Sequence, residues 1–252
     1  MNGSSPTLGV IIGNRDFFPD QLVAEARGVI VHLLEHSGIR AVMVSPEETK
    51  LGGVETHAEA RKCAELFRRH RDEIDGVLVA LPNFGDEKGV VDALKLAALE
   101  VPVMVQASPD DLGQLGVARR RDAFCGKISV CNNLVQAGIK FTLTDKHVVA
   151  LDSESFRADL DQFVRVCRVV NGVRGVRLGA VGARPGAFNT VRYSEKILER
   201  HGVSVTTVDL SELLAAAGGL GAADPAVAAK LDDICSYAPA PGVPAEKLVQ
   251  MA

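Results

Sequence analysis

Apolar positions fall into short unbroken runs that alternate with longer stretches of helical period. Thr7 to Gly13 is one such run and is read as a strand. In Gln21 to Ser37, Leu22, Ala26, Val29 and Leu33 then share one face of a helix that Gly38 closes. Ile39 to Ser45 is the next strand, and Glu55 to Glu73 a charged helix with Ala58, Cys63, Leu66 and Phe67 among its few apolar positions. Gly76 to Leu81, a helix over Gly89 to Leu99, and Val101 to Gln106 repeat the unit. Strands that are apolar on both faces and separated by helices predict an α/β fold, a doubly wound parallel sheet covered on both sides.

After a polar loop reaching Asp122, the pattern predicts a helix near Ser129 to Ala137 and a short strand at Lys140 to Leu143. Phe156, Leu160, Phe163, Val164 and Cys167 trace a further helix, for which Asp152-Ser153-Glu154 reads as an N-cap with an acidic first turn. That helix ends near Asn171-Gly172, the expected domain boundary. Residues 1–172 then form an N-terminal flavodoxin-like α/β domain, and residues 173–252 begin a second α/β domain. Its elements are a strand at Val176 to Val181, a helix over Thr190 to His201 and a strand at Val203 to Val208. Helical patterns follow at Pro225 to Ser236 and Ala245 to Met251. One strand–helix–strand unit with these helices cannot cover both faces of a parallel sheet, so the second domain is expected to be incomplete and the chain to be the front part of a longer protein.

Composition changes this picture little. With 252 residues, 47% of them hydrophobic and 24% charged, the chain is long and apolar enough to bury a sizeable core. The formal charge of −4 disfavours a nucleic-acid role, and the basic runs Arg68-Arg69-His70-Arg71 and Arg119-Arg120-Arg121 adjoin acidic residues and lack interleaved aromatics. No apolar run approaches the roughly 18 residues of a membrane span. The five scattered cysteines suit a reducing compartment, so a cytoplasmic protein with neither membrane nor nucleic-acid partners is expected.

Two motif matches are weak. His32-Leu33-Leu34-Glu35-His36 has the spacing of inverted zinc proteases, but Glu35 points away from the helix's apolar stripe and two histidines also suit the last turn of a helix. Gly179-Ala180-Val181-Gly182-Ala183-Arg184-Pro185-Gly186, with Asp209 ending the next strand, lies where a dinucleotide loop would. It lacks the paired glycines, and Pro185 removes a donor. The ends of the strands are more informative, because open α/β sheets bind ligands there. They carry Asn14-Arg15, Asn83-Phe84, Gln106 and Ser108, and later Arg184, Phe188 and Asn189. Amides and guanidiniums suit hydroxyls, and aromatic rings suit C–H faces, so the palette fits a carbohydrate. The structural alternative is that Asn and Pro only build turns while Arg15 caps a helix or pairs with Asp16.

Four segments carry a family resemblance: Gly9 to Arg15, Leu81 to Glu87, Asp122 to Asn133, and Gly182 to Tyr193. Together they resemble the N-terminal portion of the L-fucose/L-arabinose isomerase-like sugar isomerases. The resemblance implies aldose–ketose interconversion and a homo-oligomer in which the N-terminal domain completes a neighbour's pocket. It also implies a divalent metal, usually manganese, held by two carboxylates and a histidine from more C-terminal regions. This chain is therefore expected to hold no cofactor itself, to have no catalytic residues and to be inactive alone. Arg15, Asn83 and Phe84 fall in segments that approach the sugar, and Arg184 and Asn189 in a segment of less defined role. A non-catalytic sugar-binding or regulatory module is the alternative, and part of a nucleotide-dependent oxidoreductase a third.

Overall fold

A computed structural model describes residues 5–252. The chain divides between Gly172 and Val173 into two compact units. In the first, strands β1 (Thr7–Ile12), β2 (Arg40–Val42), β3 (Gly76–Leu81), β4 (Val103–Ala107) and β5 (Thr142–Leu143) form one parallel sheet in the order β2-β1-β3-β4-β5. This is the flavodoxin-like order, in which the direction of winding reverses between β1 and β3. Helices α1 (Gln21–His36), α2 (His57–Arg69), α3 (Glu87–Ala97), α4 (Ala123–Gln136) and α5 (Glu154–Val173) cover it.

The two-residue alternation of each strand sorts its side chains into two cores. Ile11, Val77, Val79, Leu81, Val103 and Val105 pack with Phe67 of α2, Val90 and Leu94 of α3, and Val130 and Leu134 of α4. Leu8, Val10, Ile12, Leu78, Ala80 and Met104 pack with Ile30 and Leu34 of α1 and with Phe156, Leu160 and Phe163 of α5. Local signals fix the helix starts. Thr56 and Glu59 form a reciprocal capping box on α2, and the Asp86 side chain accepts the Gly89 N–H at 2.7 Å to cap α3. Ser153 Oγ accepts the Phe156 N–H at 3.2 Å, as its position before α5 predicts.

The helices depart most from the periodicity in three places. α4 begins at Ala123, ahead of the expected Ser129, because its first turn has no apolar repeat and is held instead by a close backbone contact through Gly126. The expected helix over Thr190 to His201 is a 3-10 turn at Asn189–Val191 followed by α6 (Glu195–Arg200). The residues between stay extended, and Ser194 stands at the N-cap position. An additional helix, α7 (Leu210–Gly218), starts where Asp209 accepts the Ser211 N–H at 2.8 Å. Asp209 is thus a helix cap, in place of the ribose-binding acid of a dinucleotide fold.

The second unit pairs β6 (Arg177–Val181) with β7 (Ser204–Val208) in parallel and adds α8 (Pro225–Tyr237) and α9 (Ala245–Met251) to α6 and α7. Only Val203 and Val227 of this unit are buried among the described residues. No helix of the described residues is long and apolar enough to cross a membrane. Each strand of the β6–β7 pair has one unpaired edge, whereas every residue of β3 is buried between two partners. Amides of Leu178 to Val181 and Val205 to Val208 should therefore exchange with solvent on the order of a hundredfold faster than those of Val77 to Leu81. Hydrogen-exchange mass spectrometry or NMR checks this, and equal protection would show a second unit as well buttressed as the first.

Candidate functional site

Where the winding reverses, the loops after β1 and β3 stand at the carboxyl end of the sheet, the place where doubly wound folds form a ligand crevice. Two buried amides span it. Asn83 Nδ2 donates to Asn14 Oδ1 at 2.7 Å, and Asn83 Oδ1 accepts the N–H of Gly85 at 3.0 Å. Gly85 takes a φ of +70°, which a residue with a side chain would adopt only under strain. Asn14 Nδ2 in turn donates to Asp20 Oδ1 and Glu55 Oε2, each at 2.9 Å. Asn14 and Asn83 are 1% and 0% exposed, so both amides are committed to protein partners beneath the crevice surface.

The acidic end of this network is tuned by Lys50, which lies 2.9 Å from Asp20 and 3.9 Å from Glu55. Burial pushes the Asp20 carboxyl up, but hydrogen bonds from Lys50 and Asn14 outweigh it and hold the group below its usual range. Burial dominates at Glu55 and raises it above the ordinary value of 4.5, against the pull of Lys50 and Asn14.

Above the amides sits an aromatic and cationic layer. The Arg15 guanidinium lies 4.6 Å from the centre of the Phe84 ring and 5.9 Å from that of Phe17, and Phe84 stacks on Phe18 at 5.8 Å. Stacking engages the face of the guanidinium and leaves its N–H edge free. No hydrogen bond or ion pair engages that edge among the described residues. Arg121 Nη1 donates to the Pro82 carbonyl at 2.8 Å, and burial lowers the pKa of this half-buried group. Arg120 pairs with Asp122 and lies 5.7 Å from the Phe18 ring, while Arg119 pairs with Glu25 at 2.8 Å. The first turn of α4 closes the layer, because a Cβ on Gly126 would stand 1.7 Å from the Phe84 carbonyl oxygen.

Behind this layer, Gln106 is fully buried at the end of β4, donates to the Val149 carbonyl at 2.7 Å and leaves Oε1 unpartnered. Lys127 is buried, which lowers its pKa, and donates to Thr144 Oγ1 at 2.7 Å and to the His147 carbonyl at 3.0 Å. It clamps the loop after β5 to α4.

The structure thus brings Arg15, Asn83 and Phe84 into one crevice, with Asn83 inside it and Arg15 and Phe84 at its surface. Arg184 and Asn189 belong to the second unit. Arg184 follows β6, pairs with Glu195 at 2.6 Å and lies 4.0 Å over the Tyr193 ring. Asn189 is exposed at the start of the 3-10 turn, next to the 58%-exposed Phe188. His32, Glu35 and His36 are exposed on α1, and His36 Nδ1 is bonded to the His32 carbonyl at 2.8 Å. Among the described residues no three His, Cys, Asp or Glu side chains converge as a metal would require. Asp20, Lys50, Glu55, Arg121 and Gly126 were not anticipated as parts of the crevice. Only Arg121 and Gly126 carried a local signal, as the end of a basic run and as part of the Asp122 to Asn133 segment that carries the resemblance.

The family model described as "Fucose/sulfoquinovose isomerase, N-terminal domain" matches residues 9–174, most of the chain and essentially the whole first unit. The chain belongs to this family. No curated protein matches it. The crevice is therefore a feature of a sugar-isomerase-related domain, and the family match covers Arg15, Asn83 and Phe84 but stops before Arg184 and Asn189.

Two measurements test the polar network. Asn83→Ala leaves Asn14 Oδ1 and the Gly85 N–H without partners and should cost about 1–3 kcal/mol in urea unfolding. Glu55 has a raised pKa in the folded state, so its contribution to stability is full below the unfolded value and is lost as pH rises through the folded one. Glu55→Gln keeps the acceptor for Asn14 without the charge. The variant should melt higher than the parent at pH 7, with the difference closing by about pH 4.

Proposed function

We propose that the first unit supplies the sugar-contacting part of an aldose–ketose isomerase, with Arg15 and Phe84 meeting the substrate and Asn83 holding the loop that presents them. The single observation that carries this reading is the Arg15–Phe84 stack, with open guanidinium N–H groups, at the switch point of a domain of this family. Guanidinium edges donate to sugar hydroxyls, and the ring offers a flat apolar surface to C–H groups. A substrate such as L-fucose or L-arabinose fits this palette.

The resemblance implies a divalent metal, usually manganese, held by two carboxylates and a histidine of more C-terminal regions, so no metal ligand is assigned to the residues of this chain. The residues of this chain bind and orient, and no proton transfer is assigned to them. Arg184 and Asn189 remain candidates for sugar contact on the second unit, Arg184 only if its pairing with Glu195 opens. The reading also includes a homo-oligomer. Phe17, Leu112 and Val117, exposed at 69%, 85% and 82%, offer apolar surface on the loops after β1 and β4 that a second subunit would cover.

Titration with L-fucose and L-arabinose, followed by amide NMR shifts, tests the proposal. Shifts should concentrate at residues 13–17 and 82–86, and Arg15→Ala should weaken binding roughly ten- to a hundredfold, the scale of a charge-assisted hydrogen bond. The melting temperature of Arg15→Ala should change little, because the side chain makes no ion pair among the described residues. Lost stability with unchanged binding would identify a purely structural arginine, and shifts confined to other surfaces would overturn the site.

A further inference from the structure

We infer that the exposed face of α4 is a two-fold interface that receives α4 of a second copy of this chain, running antiparallel. The inference rests on the homo-oligomer of the reading above and places a contact away from the loops after β1 and β4. Its basis is the surface of one helix. Phe124, Ile128, Cys131 and Val135 follow one another at spacings of four, three and four residues, which aligns them in one narrow stripe. Phe124, Ile128 and Val135 are 43%, 57% and 66% exposed, while Ala123, Val130 and Leu134 on another face enter the core.

Charge identifies the occupant. Lys127 is the only acidic or basic residue of α4, and it is buried, donating to Thr144 Oγ1 at 2.7 Å and to the His147 carbonyl at 3.0 Å. The helix therefore shows solvent no charged side chain, and Ser129, Asn132 and Gln136 flank the stripe with neutral polar groups. Every other helix of the first unit exposes charge, as Glu25 does on α1, Arg61 on α2, Lys95 on α3 and Arg157 on α5. In an isologous contact a patch meets itself, so a charge near the axis would face its own copy and repel it. Amides avoid this, since each carries both donor and acceptor. A different partner imposes no such rule and is ordinarily selected by charges of opposite sign. The spacing fits the same arrangement, because four, three, four reads alike in both directions. Two antiparallel copies set Phe124 against Val135 and Ile128 against Cys131 on either side of one axis.

The adjoining sheet edge extends the surface. Leu143 of β5 is 51% exposed and lies opposite Val105, whose side chain packs in the core that α4 covers, so Leu143 adds apolar area on the α4 side of the sheet. Phe124 stacks with His147 of the loop after β5 at 5.4 Å, which joins helix and loop in one face. β5 itself has only two residues, too short an edge to template a strand from another chain. Helix packing is left as the mode of contact.

Sedimentation equilibrium of the 252-residue protein at about 1–100 µM tests the inference. The protein should self-associate. Ile128→Glu puts a charge beside the axis and should raise the dissociation constant about a hundredfold or more, turning a dimer into monomers or halving a larger assembly, with the circular dichroism of the parent retained. Val169→Glu, which charges a comparably exposed apolar residue of α5, should leave the assembly intact. Val135→Glu provides the same test as Ile128→Glu if that variant does not fold. An assembly unchanged in both α4 variants would overturn the inference while leaving a homo-oligomer built on the loops after β1 and β4 standing. Equal loss of assembly in Val169→Glu would overturn it too, because the contact would then not be specific to α4. A parent that stays monomeric at the highest concentration would overturn both this interface and the homo-oligomer, without touching the sugar-contact reading.

Discussion

The hydrogen bond from Asn83 to Asn14 is the contact on which the crevice depends. A doubly wound sheet must send its loops apart where the winding reverses, and between β1 and β3 this leaves two backbone segments with no ladder to join them. The buried amide pair replaces that ladder. Each amide uses both its ends: Asn83 reaches back to the N–H of Gly85 and Asn14 forward to Asp20 and Glu55, so the network closes within the protein. In surroundings of low dielectric such a network specifies one geometry when satisfied and is costly when broken. The turn that presents Phe84 is fixed from below, and its exposed side is free for other work.

That separation places unlike chemistry on two levels. The lower level is acidic and only partly compensated, because the single Lys50 sits between Asp20 and Glu55. The upper level is cationic and aromatic, with Arg15 left over among the described residues after Arg119 and Arg120 find carboxylates. Residues whose donors are already used give rigidity, and residues whose donors remain open give recognition. Asn83 and Arg15 were indistinguishable as polar residues at strand ends. Their burial and bonding separate them, Asn83 being inaccessible and doubly bonded and Arg15 stacked by one face only.

The parallel sheet was legible in the sequence because β1, β3 and β4 are buried on both faces, and a short unbroken apolar run between helical stretches suits a doubly covered strand better than any amphipathic element. Helices with an apolar stripe, such as α1 and α5, were equally plain. The start of α4 was not, since Phe124-Cys125-Gly126-Lys127 has no stripe and is placed by the approach of Gly126 to a loop distant in sequence. α7 escaped notice because Leu210 to Gly218 is apolar without a polar face, and its start depends on the Asp209 cap. The crevice was legible at Arg15 and Phe84, which follow their strands directly. Arg121, Lys50 and Glu55 enter it through contacts across the fold, which periodicity does not encode.

The two units use one local arrangement with opposite electrostatic outcomes. In each, an arginine follows a strand of a parallel sheet and lays its guanidinium on an aromatic ring, Arg15 on Phe84 and Arg184 on Tyr193. Stacking alone orients both and is worth about 0.5–1 kcal/mol at an exposed site. Arg184 has Glu195 at 2.6 Å, which fills its N–H edge and cancels its charge, so anything binding there must first displace an internal carboxylate. Among the described residues Arg15 has no such competitor. An incoming oxygen meets donors already held in place, at a position where the fold directs ligands, without the cost of breaking an ion pair. Position after a strand is therefore only the first condition for a recognition arginine, and the absence of an internal anion is the second. The first is written in the order of residues along the chain, whereas the second depends on which carboxylates the completed fold commits elsewhere.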